Sequence, residues 1–162
     1  MGMYTGLRCK CIIKEEFRPL IAKMMKENLD WKDIAEGYSF IEEFSKGFRA
    51  NSIPYGSLCY MPDEWEDRNG KATDGFNRQF DEKTGYWAFQ CSLKNYKRDI
   101  EKFFDLILNN IAEKIIHLEE YYEEWIYSKK YDFVNGKIEC VNHQFIKYGV
   151  EDDYDYSGWY GY

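Results

Sequence analysis

The sequence predicts an α+β fold: a mostly antiparallel sheet of about five to six strands, packed on one face by two or three helices. Residues 84–93 alternate apolar and polar side chains, which is typical of a strand with one buried face. Residues 100–111 repeat apolar side chains at steps of three and four, which is typical of one helix face. Asn135-Gly136, between two alternating apolar runs, is a strong signal for an antiparallel hairpin.

The length of 162 residues favours one domain with a core large enough to fold without disulfides. We assign this domain to residues 1–150. Residues 151–162 mix carboxylates with Tyr and Trp and have no periodicity, so they are interpreted as an acidic aromatic tail.

The first strand is predicted at 3–14, with Leu7, Cys9, Cys11 and Ile13 on the core face and Arg8 and Lys10 on the other. Further strands are expected at 57–61, 76–80, 84–93, 131–134 and 137–141. Helices are expected at 16–28, 40–49 and 96–114, with a short helical turn between Trp31 and Gly37. Ser39 and Glu42 match the capping-box pattern, and Asn95 is a suitable N-cap for the main helix.

Residues 115–128 fit two periods. The helical repeat of the preceding segment can be extended through Ile115, Leu118, Tyr122 and Trp125. A period of two fits equally, with Ile116, Leu118, Glu120 and Tyr122 on one face, and the segment is rich in strand-favouring residues. A continuous helix would exceed thirty residues, so we favour a helix that ends near Lys114 and a strand that begins at Ile115.

Charge and composition narrow the classes of function. The net charge of −7 argues against a general nucleic-acid-binding role and against docking on anionic lipid. No apolar run is long enough for a membrane span, and the N-terminus has no secretory signal. Five cysteines without such a signal indicate free thiols in a reducing, cytoplasmic compartment. Abundant Lys, Asn, Ile and Tyr with little Ala and Pro favour a bacterium or its phage as the source.

His117 and its neighbouring glutamates are the first candidate for chemistry. On a strand, His117 shares a face with Glu119 and Glu123, and on a helix it would share one with Glu120 and Glu124. Either arrangement places an imidazole beside carboxylates, which suits a divalent metal or general base catalysis. The spacing matches neither H-E-x-x-H nor E-x-x-H, and a solvated acidic face with a surface histidine is the simpler interpretation.

The cysteines offer a second candidate. Cys9 and Cys11 together with Cys140 and His143 would supply four zinc ligands of suitable types. Zinc sites prefer C-x₂₋₄-C, so C-x-C on a strand fits a buried core better. No phosphate-binding or serine-hydrolase motif occurs, and no cofactor is expected.

The composition is 19% aromatic, and rings beyond those needed for the core are suited to protein recognition. We therefore predict a non-enzymatic protein–protein interaction module of a bacterium or its phage or mobile elements, which binds through acidic and aromatic surface. A metal-dependent hydrolase or nuclease using His117 is the alternative, and self-association into a homo-oligomer is a third possibility. The predicted contacts are Asp63, Glu64, Trp65, Glu120, Glu124 and Trp125, together with Tyr154, Tyr156 and Trp159 in the tail.

Overall fold

The structure, a computed structural model, describes residues 3–149 and has one six-stranded antiparallel sheet. Its strands are β1 (Thr5–Ile13), β2 (Gln79–Phe80), β3 (Tyr86–Leu93), β4 (Ala112–Tyr122), β5 (Lys129–Val134) and β6 (Lys137–Asn142). Their order across the sheet is β2-β3-β1-β4-β5-β6, so β1 lies inside the sheet and β2 and β6 form the edges. The predicted fold class is confirmed.

The helices lie against one face of this sheet. They are α1 (Arg18–Glu27), α2 (Ser39–Ser45), the single turn α3 (Ser52–Tyr55), α4 (Asp99–Lys102) and α5 (Asn109–Ile111), with a π-helical segment (Phe103–Leu108) joining the last two. The inward residues of β1, which are Leu7, Cys9, Cys11 and Ile13, are fully buried beneath them, as predicted. We call this side of the sheet the helix face.

The main helix begins at Asp99 and ends at Ile111, inside the predicted range of 96–114. Its predicted apolar stripe is buried, from Ile100 to Ile111. The N-cap is Arg98, so the prediction of Asn95 at that position is wrong, although the Asn95 side-chain oxygen accepts a hydrogen bond from the Ile100 amide at 2.9 Å. At Ala112 the backbone becomes extended, and β4 follows directly. The ambiguous segment is therefore a strand, as we favoured.

A bulge in β4 decides which of its side chains face the helices. Lys10 pairs with His117, but the next residue of β1, Cys11, pairs with Ile115, so Ile116 is an extra residue. Ile115 and Leu118 are consequently buried on the helix face, whereas Ile116 is exposed. The period of two predicted Ile116 on the same face as Leu118, which is wrong because no simple alternation anticipates an inserted residue.

Three predicted local features differ in the structure. Residues 57–61 form no strand, because side-chain bonds through Ser92 tie this segment to the end of β3 instead of a backbone ladder. The predicted strand 76–80 shortens to β2. Ser39 makes no capping bond, because it is the first residue of α2 and Tyr38 occupies the N-cap position. The capping box that does form joins Asp30 and Asp33 at the turn Trp31–Ile34.

Candidate functional site

Loops, rather than helices, cover the second side of the sheet, which we call the loop face. Arg8 projects from β1 into this layer and is only 3% exposed. Its guanidinium donates to the Gln90 side chain at 2.9 Å and to the Thr73 hydroxyl at 2.9 Å, and it pairs with the Asp74 carboxylate at 3.3 Å. A further bond reaches the Trp65 carbonyl. Arg8 therefore fastens residues 65–74 to the sheet.

Aromatic rings complete the environment of Arg8. Its guanidinium lies 4.9 Å from the centre of the Trp65 ring system and 4.2 Å from that of Phe76, which is cation–π geometry. Burial lowers the pKa of Arg8, and the electrostatic attraction of Tyr148 and Glu119 opposes this shift. Residues 65–74 are thus folded onto the sheet around a buried cation.

His117 and Glu119 lie next to Arg8 on the loop face, opposite Lys10 and Arg8 in the β1–β4 ladder. The Nε2 atom of His117 is 2.8 Å from a carboxylate oxygen of the fully buried Glu119, and the Tyr148 hydroxyl donates to the other oxygen. Burial alone raises the pKa of Glu119, but the hydrogen bonds from His117 and Tyr148 outweigh it and lower the pKa below its ordinary value. Glu119 is therefore an ionised anchor for both side chains.

A surface cavity of about 330 Å³ opens above this network. Phe76, Ile146 and Tyr148 give it apolar walls, and Arg8, Lys10, His117 and Lys147 bring cationic or protonatable groups to it. Asp74, one of its two acidic side chains, pairs with Arg8, and the other is Glu64. We call this the His117 cavity. Its lining combines apolar side chains with three cations, two carboxylates and a histidine.

The predicted catalytic set is only partly assembled. His117 and Glu119 are in contact, but Glu123 follows the end of β4 and accepts a hydrogen bond from the Tyr4 amide instead. Within residues 3–149, no group of three or more His, Cys, Asp or Glu side chains is placed to hold a metal ion. The arrangement therefore provides an oriented imidazole rather than a metal centre in the described part of the chain.

The predicted zinc ligands form two separate pairs. The sulfur atoms of Cys9 and Cys11 are 3.9 Å apart in the buried core of the helix face. The Cys140 sulfur lies 3.6 Å from Nδ1 of His143, in and just after the edge strand β6. Strands β4 and β5 separate β1 from β6, so the two pairs do not meet.

Glu120, a predicted binding residue, points to the helix face and is 4% exposed. The Tyr131 hydroxyl donates to its carboxylate at 2.6 Å. Burial raises the pKa of Glu120 to about 7, and the nearby Glu101 carboxylate adds to this shift, while the hydrogen bond from Tyr131 opposes it. Glu120 belongs to the interior rather than to a contact surface.

Exposed aromatic side chains gather at the end of the sheet where β1 begins. Phe48, Tyr60 and Tyr96 are 76%, 75% and 60% exposed. Tyr4 connects these residues. Its ring centre is 6.0 Å from that of Tyr60. Arg49 lies over the Phe48 ring and also interacts electrostatically with Tyr4. The Tyr96 hydroxyl accepts a bond from the amide of Met3, the residue before Tyr4. We call Tyr4, Phe48, Tyr60 and Tyr96 the aromatic end.

Acidic groups border this aromatic end. A cavity of about 430 Å³ is lined by Tyr60 together with three acidic side chains and one cation, which are Asp63, Glu66, Asp67 and Arg68. Glu124 is exposed just beyond the end of β4. It is close in sequence to Tyr122, and Tyr122 interacts electrostatically with Tyr96 of the aromatic end. Rings and carboxylates thus share one surface.

The other predicted contacts lie in different environments. Asp63, Glu64 and Glu124 are exposed, whereas Trp125 is half-buried. Trp65 is fully buried and packs near Tyr121 and Tyr148 in a second small core on the loop face. Its ring also contacts the Arg8 guanidinium. Tyr154, Tyr156 and Trp159 lie outside the described residues.

Sequence reasoning missed the His117 cavity because its walls come from four distant segments. Arg8 and Lys10 carried a signal, since two cations on the second face of a central strand require partners there. Ile146 and Tyr148 carried none, because they lie in a segment without periodicity, and Phe76 was assigned to the predicted strand 76–80 rather than to a cavity wall. Phe48 falls within the predicted helix 40–49, but α2 ends at Ser45 and Phe48 is exposed.

Comparison with protein families, with curated proteins and with solved structures finds no match to this chain. Among the described residues, no helix combines the length and the apolar character that crossing a membrane requires. The function must therefore be argued from the two surfaces described above.

Proposed function

We propose that this protein is a non-enzymatic binding module whose aromatic end recognises a basic, partly apolar segment of another protein. The observation that carries the proposal is the grouping of Phe48, Tyr60 and Tyr96, each more than half exposed, at one end of the sheet. Single exposed rings are ordinary, but several exposed rings at one end of a sheet suit a recognition surface. Composition favours a bacterium, or its phage or mobile elements, and its cytoplasm as the setting.

Charge supports a basic partner. Asp63, Glu66 and Asp67 line the cavity beside Tyr60, and the whole chain carries a net charge of −7. Such a surface attracts Lys and Arg side chains at long range, and the tyrosine rings provide stacking surfaces for them at contact. Rings supply the affinity in this arrangement and carboxylates supply steering, so binding should weaken as salt is added.

The test compares two variants in capture experiments from the native host. Phe48→Ser/Tyr60→Ser/Tyr96→Ser removes the exposed rings, and Ile116→Ser/Val141→Ser removes exposed apolar side chains elsewhere on the sheet. We expect the wild type and the second variant to retain the same stoichiometric partner in a salt-sensitive manner, and the first variant to lose it. All three should unfold at similar temperatures, because exposed substitutions change stability by about 0.5 kcal/mol or less.

Two outcomes contradict this proposal. If the triple variant retains the same partner as the wild type, the aromatic end is not the binding surface. If light scattering shows that the wild type self-associates and that the triple variant does not, the rings form an interface between copies of this chain, as in the homo-oligomer that the sequence also allowed. Retention that is insensitive to salt would remove the role of Asp63, Glu66 and Asp67.

A further inference from the structure

We propose that the His117 cavity is a second, independent binding site, which takes a small aromatic carboxylate. Its volume of about 330 Å³ lies within the range of small-molecule pockets, and such pockets combine apolar walls with a few convergent polar groups. Its lining is more apolar than that of the acidic cavity beside Tyr60. It lies on the loop face and shares no lining residue with the acidic cavity beside Tyr60.

The apolar walls fit the ring of such a ligand. Phe76 is buried, and its ring meets that of His117 edge-on at a centroid distance of 4.9 Å. Ile146 and Tyr148, from the segment after β6, add further apolar surface to the lining. An aromatic ring between these side chains would leave water and gain the edge-to-face contacts that aromatic groups prefer.

The carboxylate is assigned to Lys10 and His117. The Lys10 ammonium lies 4.3 Å from the centre of the Phe76 ring and donates to the carbonyl of Asp74 rather than to a carboxylate, so its charge is not neutralised by that bond. Three donors are available on an ammonium, and the bond to Asp74 uses one of them. A ligand carboxylate at the cavity mouth would accept another.

Glu119 orients His117 for binding the same ligand carboxylate. The buried carboxylate engages Nε2, and the rings of Phe76 and Phe145 hold the imidazole from its sides. Hydrogen bonding at Nε2 leaves Nδ1 as the nitrogen that can meet a ligand, and Nδ1 donates to a ligand carboxylate when the ring carries both protons. Lys147, which also lines the cavity, adds positive charge to its field.

The experiment is an amide-shift titration of the ¹⁵N-labelled full chain with benzoate as the probe. We expect saturable shifts centred on Phe76, His117 and Ile146, and binding roughly tenfold or more weaker for benzamide, which keeps the ring and loses the charge. Lys10→Met and His117→Gln should each weaken benzoate binding by about tenfold, because each removes a charge-assisted hydrogen bond. Lys137→Met, an exposed lysine of β6, is the matched control and should bind as the wild type does.

The titration distinguishes the alternatives. Equal binding of benzoate and benzamide, or benzoate shifts that lie outside the cavity, would overturn the proposal. Inorganic phosphate that binds as tightly as benzoate would also overturn it, because the apolar walls would then contribute nothing. If His117→Gln fails to fold, the Lys10→Met result decides, since the Lys10 side chain is half-buried and its removal leaves the Glu119 network intact. The triple variant of the aromatic end should bind benzoate normally, which separates this site from the proposed protein contact.

Discussion

The two faces of the sheet are stabilised by different interactions, although the same strands build both. On the helix face, the rings of Trp31, Trp87 and Phe103 pack edge-on with centroid distances of up to 6.4 Å. Burial of apolar surface is the main stabilising interaction there. On the loop face, a buried arginine and a buried glutamate organise the covering segments through hydrogen bonds. Apolar packing tolerates approximate partners, whereas buried charges require specific ones, so the loop face is where the fold defines a site.

Neighbouring residues of β4 show the difference most directly. Glu119 lies on the loop face, where hydrogen bonds from His117 and Tyr148 keep its pKa low. Glu120, one residue later, lies on the helix face, where burial beside Glu101 raises its pKa to about 7. One face stabilises the carboxylate and the other stabilises the neutral carboxyl, because only the loop face supplies enough donors.

The largest expected effect is on the helix face. Phe103→Ala should lower the free energy of unfolding by about 3–5 kcal/mol, because it leaves a cavity among Trp31, Trp87 and Phe89 that rigid rings cannot fill. Urea denaturation followed by tryptophan fluorescence measures this. Phe76→Ala on the loop face is the matched substitution and should cost less, because Phe76 packs on cations and loop segments that can move. If both variants lost the same free energy of unfolding, the two faces would contribute equally to stability.

The second largest effect is expected for Arg8→Met, which should lower the free energy of unfolding by about 3 kcal/mol. The reason is that Gln90, Thr73 and the Trp65 carbonyl lose a buried hydrogen-bond donor. The ion pair with Asp74 adds little to this figure, since that carboxylate is 70% exposed and solvent screens it. Hydrogen exchange is the sharper measurement: amides of residues 65–74 should lose protection while those of the helices keep it.

Lys10→Met on the same face is the control for Arg8→Met. Its ammonium is closer to solvent, so we expect a change of about 1 kcal/mol or less and no selective loss of protection. If Arg8→Met loosened the helices and residues 65–74 together, the two faces would unfold as one unit and the distinction drawn above would not hold.

The helix face could be predicted almost completely from the sequence, because periodicity records apolar burial. The alternation of Leu7, Cys9, Cys11 and Ile13 and the stripe from Ile100 to Ile111 each identified the buried side correctly. Even the ambiguous segment after Ile111 was resolved by length and strand preference. What failed there was local, as at Ile116, where an inserted residue interrupts the alternation.

The loop face could not be predicted, because its partners are distant in sequence and follow no period. Arg8 meets groups that lie 57 to 82 residues away along the chain. His117 and Glu119 were correctly paired as strand neighbours, but the cavity above them depends on Phe76 and Tyr148. Trp65 illustrates the same limit, since a ring within a run of charges looks exposed until the cation beneath it is known.

The most specific expected effect, smaller than that of Phe103→Ala or Arg8→Met, is the opposite response of the two glutamates to pH. The pKa of Glu120 is about 7 in the fold, against about 4.3 in an unfolded chain, so the native state holds the proton more tightly. Its contribution to stability is present in full below the unfolded pKa and is lost as pH rises through 7. Between pH 5 and pH 8 this should lower the free energy of unfolding by about 2–3 kcal/mol, and Glu120→Gln should abolish that decline.

Glu119 should behave in the opposite sense. Its pKa is lowered in the fold, so its contribution is present above the unfolded pKa and is lost as pH falls through the folded value. Glu119→Gln should therefore be destabilising near pH 7, and its deficit relative to the wild type should shrink in acid, as the wild-type carboxylate also becomes neutral. Urea denaturation of the wild type and both variants across the pH range separates the two contributions. β4 presents these neighbouring side chains to opposite sides of the sheet. If both substitutions shifted the pH dependence of stability in the same direction, the two faces would therefore have the same effect on the pKa of a carboxyl group, which would contradict the comparison.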